Sequence, residues 1–382
     1  MRVGIPTRRP RKPGRARPWL VAALLWAVAC APARQTTPAD GGSFAGLIEQ
    51  LSEPGGFFDT DNLISNESSY LHALGPLRRH GVRGGGYIGV GPDQNFSYIA
   101  EIRPEIAYLL DLRRDNLLLH LLFKAIMEEA SNRTEYLGLL FGRSLPADLL
   151  SRGNQSADQL VAAVDSLVVT EASAFRARAR VDARMAGFGV RLSKEDLATI
   201  ERFHREFMAA GLDLRFTSFG RGPRPLYPTY RELVQARDLA GEQGSFLSSE
   251  ARYLVVRDLQ LRDRIIPVVG DLAGPHALAA IGRDLAGRGL TVSALYLSNV
   301  EFYLWGDRSF DRFAETTLGL PSDAHSVIIR SWFGRTRLHP DAVPGHLSTA
   351  LVQTFDAFRS GVQAGFPSYW DLATRNHLPP RE

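Results

Sequence analysis

Five short runs of apolar, mostly β-branched or aromatic residues limit what this chain can fold into more than any other feature. They are GGGYIGV (84–90), IAYLLD (106–111), RIIPVVGD (264–271), TVSALYLSN (291–299) and HSVIIRSWF (325–333), each with turn residues near its ends. Continuous runs of this kind indicate strands covered on both faces, as in a parallel sheet. Helical patterns lie between them. DNLLLHLLFKAIMEEA (115–130) is apolar almost all round, as expected of a helix buried against a sheet. PHALAAIGRDLAGRG (275–289) has a helical period and ends in glycine. The order predicts a doubly wound α/β domain with a mainly parallel sheet and a mostly helical insertion, residues 131–255, between the second and third strands.

Within the insertion, LSKEDLATIERFHREFMAAG (192–211) opens on Ser193 with Asp196 three residues later, a capping pattern. Leu197, Ile200, Phe203 and Phe207 share one face, and Gly211 closes the helix. FTSFGRGPRPLYPTY (216–230) is a Gly, Pro and aromatic loop too long for a simple connection, and it is a candidate lid bringing Tyr227 and Tyr230 to a substrate. Asp115 and Asn116 are expected to cap the buried helix.

The N-terminus carries a separate signal. Arg2, Arg8, Arg9, Arg11, Lys12, Arg15 and Arg17 precede the apolar run WLVAALLWAVA, and the small residues Ala27 and Ala29 precede Cys30, the single cysteine. The run is shorter than the about 20 residues of a membrane-spanning helix and has signal-peptide anatomy. TRRPRK contains paired arginines, but the residues after them do not continue a twin-arginine signal. The segment resembles the lipobox of bacterial lipoproteins. That resemblance implies cleavage after residue 29, a diacylglyceryl thioether on Cys30, and a lipid-anchored, periplasm-facing protein of the cell envelope. Ala31 after the cysteine points to the outer membrane, by likeness to enteric lipoproteins. Residues 31–45, rich in Pro, Thr, Gly and Ala, are expected to be a tether, and 46–382 the domain.

Loss of the leader removes seven basic and no acidic residues, so the formal net charge falls from +4 to −3. The basic balance therefore belongs to the targeting segment, and nucleic-acid binding is not expected. The nine histidines form no H-E-x-x-H or paired ligand spacing, so no metal is expected. G-x-S-x-G and G-x-x-x-x-G-K-[ST] are both absent, which argues against common serine hydrolases and P-loop enzymes.

YIGVGPDQNFSYIAEIRPEIAYLLDLRRDN (87–116) reads as strand, glycine turn, helix and a strand ending on an acid. Gly89 and Gly91 let the backbone turn sharply and approach a ligand. Asp111, twenty positions after Gly91, has the spacing of an acid that reaches ribose hydroxyls. Asp271 ends the third strand on the edge where ligands of open α/β sheets bind. A nicotinamide fingerprint would need a third glycine where Gln94 stands.

These features resemble the class I S-adenosylmethionine-dependent methyltransferase fold. The resemblance implies Gly89 and Gly91 near the amino-acid part of the cofactor, Asp111 on the ribose and Asp271 near the base. Tyr87 stands where that family has an acid and Asp93 where it has a third glycine, a carboxylate able to receive an ammonium. SNVEFY (298–303) replaces the Asn-Pro-Pro-aromatic motif of amino methylation, and no antiparallel strand pair is evident after residue 335. DNLISNESSYLHALGPL, GGYIGVGPDQNFSYIAEIRP, DLRRDNLLLHLLFKA, PVVGDLAG and YLSNVEFYL are together similar to an uncharacterised family of bacterial proteins with this fold. Asn66, Glu67, Ser298, Asn299, Glu301 and Tyr303 are candidates for the same cleft. Two functions remain open at this point. One is methyl transfer with Asn299 or Glu301 near the acceptor, and the other is a receptor that binds a nucleoside-like or other partner without chemistry.

Overall fold

The computed structural model describes Met1 and residues 42–150, 155–219, 226–334 and 337–381; the rest of the expected leader, Cys30 and most of the expected tether lie outside them. Residues 41–382 form one compact unit. At its centre is a six-stranded sheet of order β3-β2-β1-β4-β5-β6: β1 Gly86–Gly89, β2 Ile106–Asp111, β3 Ile265–Val269, β4 Val292–Tyr296, β5 Val327–Phe333 and β6 Ser348–Thr354. The first five are parallel, and β6 runs antiparallel to β5. The architecture is α/β with a mostly parallel mixed sheet, compatible with a Rossmann-like fold.

The strand residues are buried on both faces because helices cover both. The helix Arg114–Glu129 packs on β2 and β3 and is itself wrapped by the helices Glu171–Met185 and Lys194–Ala210. The helix Ala277–Gly287 lies against β2, where the Tyr108 hydroxyl meets the Asp284 carboxylate. Leu117 through Met127 is an unbroken buried run, which explains the almost wholly apolar sequence. The edge strand β3 is not left open. The helix Phe44–Leu51 packs beside it, Glu53 N–H donates to the Val269 carbonyl (2.9 Å), and Val269 N–H donates to Ser52 Oγ (3.1 Å). An edge covered in this way offers no free ladder to another chain.

Between β2 and β3 the chain is largely helical. Ser193 and Asp196 form the expected capping box, and Gly211 ends that helix at φ +56°. Leu197 departs from the expected buried face. It is exposed, while Ile200, Phe203 and Phe207 are buried, because it precedes Ile200 by three positions on the rim of the stripe. The buried helix is also capped differently: its N-cap is Arg113, and Asp115 and Asn116 fall in the first turn. The strand beside β5 is a third correction. STALVQT (348–354) has a central apolar triplet flanked by polar residues, too short a signal to separate from a turn until β5 pairs with all seven positions.

Candidate functional site

The parallel register brings Gly89, Asp111, Val269 and Tyr296 to one edge of the sheet, the carboxyl edge of the strands. Sheet order reverses between β1 and β4, and ligands of open α/β sheets bind outside the carboxyl ends at such a point. Gly91 turns the chain there at φ +79°, and the helix Gln94–Ile102 follows.

The two glycines differ in what they make room for. A Cβ on Gly89 would lie 2.0 Å from Asn95 Oδ1 and 2.7 Å from the Tyr87 hydroxyl. Its space is filled by the chain itself: Tyr87 donates to Asn95 Oδ1 (2.7 Å), and Asn95 Nδ2 donates to the carbonyls of Val90 (2.8 Å), Gly91 (3.2 Å) and Pro92 (2.7 Å). Tyr87, where the resemblance leads one to expect an acid, thus braces the glycine turn from below.

Asp111 ends β2 and faces Arg113. The guanidinium donates from Nε to Oδ1 and from Nη2 to Oδ2, each at 3.0 Å, and the Arg113 N–H donates to Oδ1, also at 3.0 Å. A carboxylate has about four lone-pair sites, so roughly one remains for another donor. Arg113 Nη1 reaches on to the carbonyls of Thr60 and Asp61, 2.7 Å each. Asp271, half-buried after β3, accepts from the Ala273 N–H (2.9 Å), while its own N–H donates to Glu53 Oε1 (2.9 Å).

These contacts belong to one feature. Residues 52–69 cross the carboxyl edge in the order of the strands. Ser52 and Glu53 meet the end of β3, and Gly56 N–H meets the Leu112 carbonyl beyond β2 (2.8 Å). Thr60 and Asp61 meet Arg113, and Asn62, at φ +52°, lies against Gly91. Glu67 then reaches the ends of β4 and β5, and Ser69 bonds Ser348 at the start of β6 (2.8 Å). A strap formed by the chain's own backbone therefore lies where a ligand of this fold class would rest.

Glu67 is fully buried. Its carboxyl accepts from the hydroxyls of Ser298 and Ser331, and burial, outweighing those bonds, raises its pKa. Ser298 makes its contact from the left-handed region, φ +53°, a strained position for a residue with a Cβ. Asn66 is half-buried beside Glu67. Glu301 is also fully buried, in a bidentate ion pair with Arg330 (2.6 and 3.1 Å), and Arg330 Nη1 bonds Gln353 Oε1 (2.8 Å). It faces the interior between β5 and β6. Asn299 is the half-buried N-cap of the helix Val300–Gly306, with no side-chain cap bond to that helix, and Tyr303 stands exposed with its ring edge-on to Phe58 (5.1 Å).

Asp93 points elsewhere. Its Oδ2 accepts from the Tyr230 hydroxyl (2.8 Å), and burial pushes its pKa up to about 7. It borders a cavity of ≈ 20 Å³ with Tyr70, Gln94, Ser97 and Ser245, room for about one water molecule. Tyr230 and Tyr227 are buried, the second in edge contact with Phe216. The middle of the expected lid, 220–225, lies outside the described residues.

Sequence reasoning missed the strap, Arg113 and a set of buried polar atoms. His120 donates from Nε2–H to the Gly91 carbonyl (2.9 Å), and burial lowers its pKa to about 4, so the ring is neutral with Nδ1 as its acceptor. Its Nδ1, both amide atoms of Asn116 one turn earlier on the same helix face, and Gln94 Oε1 find no hydrogen-bond partner among the described residues. Buried polar atoms of this kind ordinarily have a partner; His120 stands at the Gly91 carbonyl with Asn116 one turn before it, while Gln94 borders the Asp93 cavity, and further unpartnered atoms lie elsewhere in the fold, Gln260 and Thr317 among them. The only sequence signal was the dense polar run after Asp111. Among the described residues no cluster of three or more His, Cys, Asp or Glu could hold a metal, and no helix is long and apolar enough to cross a membrane.

A family model described as a domain of unknown function, DUF7790, matches residues 63–365. No curated protein matches the chain.

Proposed function

We propose a function from the premise that the chain belongs to the DUF7790 family, whose description assigns none: its Rossmann-like domain holds a nucleoside-like small molecule at the carboxyl edge, as a lipoprotein anchored through Cys30. S-adenosylmethionine is the ligand we favour. The observation that carries the reading is the convergence of Asp111, the Gly91 turn and the unpartnered atoms of Asn116 and His120 at the point where strand order reverses. The strand order β3-β2-β1-β4-β5, with an antiparallel strand beside β5, supports a methyltransferase-like form of the fold, with the helices between β2 and β3 as an insertion. Ligand entry requires residues 55–62 to move aside, and Arg113, which holds both Asp111 and the strap, couples the two. Asp93 in this reading acts on the architecture of the turn, and Asp271 lines the far side of the site.

Binding without chemistry is the form the geometry favours, since Glu301 and Glu67 are buried among partners and offer no free base to an acceptor. Methyl transfer is the second reading. It rests on Asn299, half-buried at the tip of β4 with its side chain outside the helix cap.

Calorimetric titration of the mature chain with S-adenosylmethionine and S-adenosylhomocysteine tests the proposal. Micromolar binding weakened at least tenfold by Asp111→Ala or Asn116→Ala is the expected result. No heat at millimolar ligand would remove the nucleoside reading.

A further inference from the structure

The carboxyl edge carries a run of aromatic rings, four of them exposed and three half-buried, that the ligand site does not use. Phe57 (79% exposed) stacks on Phe219 (49%) at 6.3 Å. The next residue, Phe58, is edge-on to Tyr303 (44%) at 5.1 Å, and Tyr303 touches Phe302 (56%) at 5.4 Å. Phe302 meets Tyr369 at 5.7 Å, and Tyr369 stacks on Trp332 at 5.2 Å. Beyond them lies Leu338 (72%), beside Gly334 at the end of β5. The rings come from the strap, the loop at 219, the helix after β4, the end of β5 and the helix Tyr369–Thr374, so the fold gathers them. An exposed apolar strip of this extent marks an interaction surface rather than ordinary scatter.

We propose that this strip is a membrane-docking face, lying in the interfacial layer of the bilayer to which Cys30 is attached. The occupant follows from where the chain outside the described fold leads. Thirteen residues separate Cys30 from Phe44, at most about 45 Å when extended. The helix Phe44–Leu51 spans about 12 Å and ends against β3 at the carboxyl edge. The tether is long enough for that edge to meet the lipid surface and too short for the domain to stray far from it. Aromatic rings with a polar edge are suited to the interfacial layer, and the −3 charge of the mature chain leaves the contact to apolar burial. The inference rests on the lipid-anchor reading only for its choice of occupant. Its consequence is that the ligand site opens toward lipid.

The test uses the mature chain with Cys30→Ala, which cannot be lipidated, and vesicles of phosphatidylethanolamine and phosphatidylglycerol. The expected result is co-sedimentation that survives high salt, with tryptophan emission quenched by brominated acyl chains. Phe57→Ser with Phe302→Ser should lower partitioning by about tenfold or more with the thermal melt unchanged, since both rings are exposed. Equal partitioning of the variant, or none by the unlipidated chain, overturns the proposal. A dimer in solution that the same variant dissociates also overturns it, by assigning the strip to a second copy. The mass of Cys30 in the native chain is measured separately. A missing lipid there defeats the anchor and leaves the vesicle result to stand by itself.

Discussion

Glu301 offers the sharpest test of how this structure is read, because catalysis and packing make opposite demands on it. Its carboxylate and the Arg330 guanidinium are both fully buried, joined at 2.6 and 3.1 Å, with Gln353 as the third partner. Glu301→Leu would leave a guanidinium in the interior without a counter-charge, a change that costs about 3–5 kcal/mol. Against a typical total of about 5–15 kcal/mol, that is a large fraction, read as a drop in melting temperature of several degrees and an earlier denaturant midpoint. Replacing both partners, Glu301→Leu with Arg330→Met, removes the buried charge and should recover most of the loss. What stays lost is about 1 kcal/mol for the hydrogen bond to Gln353. Thermal and denaturant unfolding of wild type, both single variants and the double variant complete the cycle. A Glu301→Leu protein within about 1 kcal/mol of wild type, or a double variant no better than the single, would refute the reasoning. It would return Glu301 to the candidates for an acceptor-side base.

Asp93 predicts a pH dependence. Its ordinary pKa of 3.8 is raised to about 7 by burial, so the folded state keeps a proton that the unfolded state has lost, and stability falls as pH rises from about 4 to 7. Asp93→Asn should flatten that slope, seen by denaturant titration across the range; an unchanged slope would place the titration elsewhere. Gly89→Ala forces a Cβ against Asn95 Oδ1 and should cost about 1–3 kcal/mol, whereas a neutral result in a thermal melt would mean that the turn is loose. Arg113→Ala releases Thr60 and Asp61 from Asp111, so amide exchange in residues 55–62 should quicken while the exchange of β1 and β2 stays slow. Protection unchanged in the strap would show that Arg113 does not hold it.

The five parallel strands and the helices between them were legible because burial on both faces leaves a continuous apolar run that no other arrangement explains as well. Asp111 was legible for a similar reason: an acid closing such a strand, twenty residues past a glycine turn, has to emerge at the carboxyl edge. Gly89 illustrates the limit. Its need for space was evident from the residue alone, but the occupant proved to be Asn95 rather than a ligand, and only packing could decide that. Glu301 shows the same limit from the other side. A glutamate after β4 reads as a site residue until β5 places Arg330 against it from 29 positions away.

What the sequence by itself determined is the layered α/β plan, the capping of the helix at Ser193 and the acid at the tip of β2, since each depends on local periodicity or on neighbours within a turn. The tertiary structure alone decided the sixth strand, the strap over the carboxyl edge, the partners of Glu67, Asp93 and Glu301, and the gathering of exposed rings around that edge. Those depend on contacts between residues far apart in the chain, where a polar residue's role is set by what is brought against it and not by its own chemistry.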